Sequence, residues 1–169
     1  MKNRINKKGL TVYFIGVIIL CLIDQLTKIA AVNTLKGKNP FVIIDGVFEF
    51  YYLENSGAAW GMMSGGRIIF MIITVVIVLA AIYVMALMPN KAEMIKLQTT
   101  ITFLSAGAIG NFIDRLFLGY VRDFIYFKLI DFPVFNVADI YVTVSEVCLI
   151  ILILFVYKED EFAFLKRKK

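Results

Sequence analysis

Histidine does not occur anywhere in the 169 residues. Its absence removes every serine or cysteine nucleophile activated by imidazole, and every zinc site built on imidazole nitrogens. Cysteine is nearly as scarce. Cys21 and Cys148 each lie inside an apolar run, where they read as small buried hydrophobes rather than as a disulfide framework. The three prolines mark breaks between apolar runs: Pro40 in a turn, Pro89 at the end of one run, Pro133 in a loop. No repeat, low-complexity segment or linker is evident.

What the chain has in abundance is apolar side chains, 60% of the total, with a mean hydropathy of +0.82. A soluble domain is about 45–50% apolar, so this composition belongs to a membrane protein. Little is left over for a separate soluble domain, and residues 1–169 read as one membrane-embedded unit. The net charge of +5 does not point to nucleic acid. The basic residues gather at the ends, at Lys2, Arg4, Lys7 and Lys8 and again at Lys166 to Lys169, as expected for segments that orient apolar spans and touch lipid head groups.

Four apolar runs are long enough to cross a hydrocarbon core, which takes about 20 residues. They cover roughly 10–31, 68–88, 95–118 and 136–157. The first follows a basic start, as a secretory signal does, but no small-x-small site follows it, and bulky Leu20 precedes Cys21. It is read as a retained span. The basic residues near both ends and at Lys91 and Lys96 place both termini in the cytoplasm. Between the first two runs, residues 41–53 alternate β-formers around Asp45-Gly46, which predicts a hairpin whose aromatic residues suit a membrane interface. Trp60 sits in a small, polar stretch read as a short interfacial helix, and residues 119–135 as a polar, aromatic connection. The expected fold is an all-α polytopic bundle with a small extracytoplasmic β-cradle.

The polar residues fall toward the outer end. Asp24, Thr27 and Lys28 share one face of the first span; Asn111, Asp114 and Arg115 follow the same i, i+3, i+4 spacing in the third. The first group reads as an internal Asp–Lys pair, a support for a neighbouring site, or both; the second reads as a helix-end Asp114–Arg115 pair. Small Gly107 and Gly110 permit close approach of a neighbouring backbone. Asp123 and Asp139, with Arg122 and Asn136 nearby, lie at the edge of an apolar segment, where a carboxylate is costly and is better explained by chemistry than by packing. With no histidine, paired carboxylates sharing a proton are the hydrolytic option: one serves as base to water, the other polarises the carbonyl. Spacing does not single out the pair from Asp24, Asp114, Asp123, Asp131, Asp139 and Glu146. Glu146, two turns beyond Asp139 on nearly the same face, reads as a buried neutral acid or a structural partner. A proton-coupled carrier is the rival reading, but charges spread through the bilayer depth and an internal repeat are missing.

Five segments together resemble the bacterial lipoprotein signal peptidase (signal peptidase II) family: Asp24-Gln-Leu-Thr-Lys28, Asn55-Ser-Gly-Ala-Ala-Trp60, Gly107-Ala-Ile-Gly-Asn-Phe-Ile-Asp-Arg115, Val121-Arg-Asp-Phe124 and Phe135-Asn-Val-Ala-Asp139. The resemblance implies a monomeric, metal-free and cofactor-free aspartyl endopeptidase of the bacterial cytoplasmic membrane. Such an enzyme removes the signal peptide from a prolipoprotein, cutting before a cysteine that carries diacylglycerol. It implies Asp123 and Asp139 as the catalytic dyad. Asp24, Lys28, Asn55, Gly107, Asn111, Arg115 and Asn136 match its supporting residues, with Asp114 beside them. It also implies that the hairpin is a cradle on the outer leaflet and the helix near Trp60 a lid. The third segment departs from the family's frequent paired glycines, having Ala106 before Gly107.

Overall fold

The computed structural model describes residues 5–57 and 67–165; the expected helix at Trp60 lies outside them. The first helix, α1 (Lys7–Leu35), starts where Asn6 accepts from Gly9 N at 2.9 Å, an N-cap that satisfies an otherwise orphaned amide. Asn6 also ties down the end of the second helix, donating from its backbone to Ala86 O (2.9 Å) and from its side chain to Met88 O (2.8 Å). The helices α2 (Arg67–Leu87), α3 (Ile95–Phe117) and α4 (Val137–Ile151) complete the bundle, and α4 continues as a π-helical stretch over Leu152–Val156.

Three of these are long and apolar enough to cross a membrane: Lys7–Leu35, Arg67–Leu87 and Val137–Val156, with mean hydropathies of 2.1, 3.1 and 2.3. α3 has the length, about 34 Å at 1.5 Å per residue, but not the apolarity. Position explains the difference. α3 is the central helix, packed by α1, α2 and α4, so its Thr102, Ser105, Asn111 and Asp114 face protein instead of lipid. Lipid-facing duty falls to exposed residues of the others, such as Leu22 and Leu26, Ile72 and Val76, and Val147 and Ile150. The ordinary core, with Tyr13, Met85, Met88, Leu97 and Ile101, occupies the end where α1 begins and α2 stops. The opposite end is polar.

There a three-stranded antiparallel sheet sits in the order β1 (Phe41–Ile44), β2 (Phe48–Asn55), β3 (Val121–Tyr126). The hairpin turn falls at Asp45-Gly46 as expected, with Gly46 at φ 67°. β3 corrects the reading of residues 119–135 as a mere connection. Its Val, Phe, Ile and Tyr are β-formers, and its pairing with β2 (Asn55 opposite Val121, Leu53 opposite Asp123) joins segments far apart in sequence. A bridge from Ile125 to Phe135 then leads the chain into α4.

Candidate active site

Asp123 projects from β3 and is 1% exposed. Each of its oxygens receives an amide: Asn55 Nδ2 donates to Oδ2 at 2.9 Å and Asn136 Nδ2 to Oδ1 at 2.6 Å. Neither amide is free to turn over, because each Oδ1 already accepts a backbone N–H, from Gly57 and from Asp139, both at 3.1 Å. Burial, and then the charge of Asp139, push the Asp123 carboxyl up to about 7, against the two amide hydrogen bonds that favour its ionised form.

Asp139 is the third residue of α4 and half of a reciprocal cap. Its Oδ2 accepts from Asn136 N at 3.0 Å while Asn136 Oδ1 accepts from Asp139 N. Its Oδ1 accepts from Asn111 Nδ2 at 2.7 Å. Asn111 is oriented as firmly as the other two amides, since its Oδ1 takes 2.9 Å and 3.2 Å bonds from Lys28 Nζ and Asn136 Nδ2, and a lysine can only donate. Three asparagines from β2, α3 and the start of α4 thus aim donors at two carboxylates. Both aspartates line one cavity of about 430 Å³, with Asn55, Phe132, Pro133, Phe135, Ile140, Thr143 and Val144.

Beneath them lies a buried charge network. Lys28 is fully buried, 3.0 Å from Asp24 Oδ2 and 3.5 Å from Asp114 Oδ2. Asp24 Oδ1 accepts from Ala138 N at 3.0 Å, so a carboxylate of α1 caps the helix that carries Asp139. Asp114 takes three bonds from Arg122, from its N (3.0 Å), Nε (3.1 Å) and Nη2 (2.7 Å), and so fixes the strand residue next to Asp123. Gln25 closes the network, donating to Asp114 Oδ1 at 3.1 Å and accepting from Arg122 Nη2 at 2.8 Å. Burial raises the cost of every unpaired charge here, and two cations against two carboxylates meet it. The Asp24–Lys28 pair and its supporting role therefore coexist.

The structure brings Asp24, Lys28, Asn55, Asn111, Asp114 and Asn136 together with Asp123 and Asp139. Arg115 makes no hydrogen bond or ion pair within this network, but it lies close enough for its charge to act on Asp139 and Asp123. Asp114 pairs with Lys28 and Arg122, which overturns the expected Asp114–Arg115 pair, and the Arg115 guanidinium lies over the Phe70 ring at 4.8 Å. The i, i+1 offset puts the two α3 residues about 100° apart around the helix, enough to face different neighbours. Glu146 is exposed on α4, which corrects the expectation of a buried acid. The buried stripe of that segment runs through Ala138, Ser145 and Leu152, and Glu146 lies just off it. Arg122 and Gln25 take larger parts than their sequence context showed; Gln25 follows Asp24 in the first polar segment, and that proximity was the available signal. Among the described residues no group of three or more Cys, Asp or Glu side chains is arranged to hold a metal ion.

Gly107 makes the α3–α4 contact tight. A Cβ there would stand 2.5 Å from Ala138 O and 2.8 Å from Val142 Cγ2. A backbone oxygen cannot swing aside, so Gly107→Ala is expected to shift the first turn of α4 and Asp139 with it. Overpacking of this kind costs about 1–3 kcal/mol. Turnover should fall at least tenfold with a lowered melting temperature; a variant with wild-type turnover would show that α4 tolerates the shift.

Two oriented carboxylates on one cavity, beside helices apolar enough to cross a bilayer, suit acid–base hydrolysis at a membrane. The comparisons name the branch. A family model described as signal peptidase (SPase) II matches residues 16–155, and the chain belongs to that family of peptidases. It is 38% identical over 142 residues to the lipoprotein signal peptidase of Enterococcus faecalis, covering 84% of this chain and 87% of the relative. It is 39% identical over 150 residues to that of a bovine Staphylococcus aureus strain, covering 84% and 90%. Two solved structures described as a bacterial membrane enzyme, at 2.3 and 1.9 Å resolution, superpose with a TM-score of 0.74 each. Their identities are 32% and 33%, covering 100% and 93% of this chain and 98% and 99% of theirs.

Proposed function

We propose that the protein removes signal peptides from prolipoproteins, cutting before a cysteine that carries diacylglycerol, with Asp123 and Asp139 as the catalytic dyad. The observation that carries the reading is the shared cavity, where both carboxylates are held by amides that cannot reorient. Asp123, raised to about 7, keeps the shared proton near neutrality and gives it to the scissile carbonyl oxygen. Asp139, held by Asn111 and by the Asn136 amide, takes a proton from the attacking water. The tetrahedral intermediate collapses as Asp139 passes that proton to the leaving amine and Asp123 recovers its own from a hydroxyl. The products are a signal peptide with a new carboxylate and a lipoprotein with a free amino group. Every proton is returned.

The same reading takes α3 as a fourth span and the protein as a monomer in the bacterial cytoplasmic membrane, with both termini inside and the sheet resting on the outer leaflet as a cradle. Asn6 joins the start of α1 to the end of α2, and Lys7, Lys8, Lys91 and Lys96 gather at that end, which supports a cytoplasmic assignment. The polar network occupies the other end.

The test is a cleavage assay on purified protein in lipid nanodiscs, with one prolipoprotein presented with and without the diacylglyceryl group. Cleavage of the modified substrate, reduced at least tenfold without the lipid, is the expected result. Failure to cut either form sinks the reading, and equal cutting of both removes the lipid requirement.

A further inference from the structure

Glu146 has no hydrogen-bond or ion-pair partner among the described residues and is exposed on α4, between the exposed apolar residues Val144, Val147 and Ile150. It stands near the middle of an apolar segment, Val137–Val156, that is long enough to cross a membrane. A carboxyl group facing hydrocarbon is costly, and such groups ordinarily turn toward a partner or a polar cavity. None of the described residues supplies one.

The face it occupies continues the dyad cavity. Asp139, Ile140, Thr143 and Val144 line that cavity, and Glu146 and Val147 follow on the same side of α4. At 100° per residue, Glu146 lies within about 20° of Asp139 around the helix and about 10 Å deeper along it. Resting on the function proposed above, a substrate whose scissile bond sits between the aspartates must lead its upstream apolar segment from this cavity into the bilayer. In hydrocarbon that segment has to be helical, because only a helix satisfies its own backbone there. Its rise per residue is then that of α4, so depth below the dyad converts directly into residues before the cut.

We propose that Glu146 is a specificity-determining residue. It meets the signal-peptide side chain about seven residues before the scissile bond and favours a serine or threonine hydroxyl there. The occupant of this face is the signal segment of the substrate, whose hydroxyl donates to the carboxyl group and removes it from contact with lipid.

The test compares the wild type, Glu146→Gln and Glu146→Leu on lipid-modified prolipoproteins that differ by one residue. Each carries serine or leucine at successive positions from four to eleven residues before the cut. The wild type is expected to prefer serine over leucine about fivefold in kcat/KM, with kcat little changed, only near the seventh position. Glu146→Gln, which still accepts a hydrogen bond, should keep part of the preference, and Glu146→Leu should lose it while melting no lower than wild type. The same preference in all three proteins, or none in the wild type, overturns the proposal for Glu146. No cleavage of any substrate by the wild type counts instead against the function on which it rests.

Discussion

Asp123→Asn and Asp139→Asn are each expected to lower cleavage of a lipid-modified prolipoprotein by about 10²–10⁴-fold, the usual worth of a positioned acid or base. Folding should survive both changes, because each carboxylate also serves as a hydrogen-bond acceptor and an asparagine keeps one accepting oxygen. The loss is confined to one misdirected amide, such as the new NH₂ at position 123 meeting Asn55 or Asn136 Nδ2. A melting shift of a few degrees beside a loss of turnover of that size separates chemistry from stability. Near wild-type turnover in either variant would remove that residue from the dyad.

The pH dependence carries a second signature of the same pair. Asp123 is raised from its ordinary value to about 7, first by burial and then by the charge of Asp139. Between the ordinary value and about 7 the folded protein therefore binds more protons at this group than the unfolded chain does. Its contribution to stability is fully present below the ordinary carboxylate range and is lost as pH rises through about 7. Activity that needs the protonated acid falls across the same upper limit. Wild-type kcat/KM should show an alkaline limb with a midpoint near 7, and the melting temperature of Asp123→Asn should vary less than wild type between pH 5 and 8. An alkaline limb that stays in place when the Asp139 charge is removed would contradict the coupling.

Lys28→Ala is the other large effect, and it acts mainly on stability. Lys28 is the cation between two fully buried carboxylates, Asp24 and Asp114, and Arg122 is the remaining counter-charge. Removing one partner of a buried pair costs about 3–5 kcal/mol, since the charges left behind are not resolvated. Adding Asp24→Asn should recover part of the loss, because one orphaned carboxylate goes with it and the two sites share the interaction. The recovery will be incomplete, as Asp114 remains without its Lys28 partner. Thermal melting of the wild type, the single variant and the double variant against turnover per folded molecule decides the matter. A Lys28→Ala protein that melts as wild type does would show that the network is not balanced by this lysine. Turnover should fall less than in the dyad variants, through a freed Asn111 whose amide can then present the wrong atom to Asp139.

Much of this was legible in the chain. The apolar runs marked the helices to within a few residues, Asp45-Gly46 marked the hairpin, and the clustering of polar residues at one end anticipated the network around Lys28. What escaped was non-local. β3 is short and carries a buried Asp123 in its middle, which breaks any clean alternation, and its partner strand ends at Asn55, with all of α2 and α3 between them. The Asp114–Arg122 pairing depends on the turn around Gly119, at φ 88°, that brings the strand back onto the helix end. Helical spacing relates Glu146 to Asp139 but does not say which face of α4 meets α3. Ala138, Ser145 and Leu152 decide that, and their small or apolar character is shared by many neighbours.

Three asparagines supply the side-chain amides that hold Asp123 and Asp139. Carboxamides neither gain nor lose protons across the range in which cells live. Acidity in the surroundings therefore leaves these three donors unchanged and registers in the buried acid that two of them hold, Asp123. The enzyme carries its own indicator: the alkaline bend of a rate-against-pH curve reports on that acid, while the amides around it stay silent.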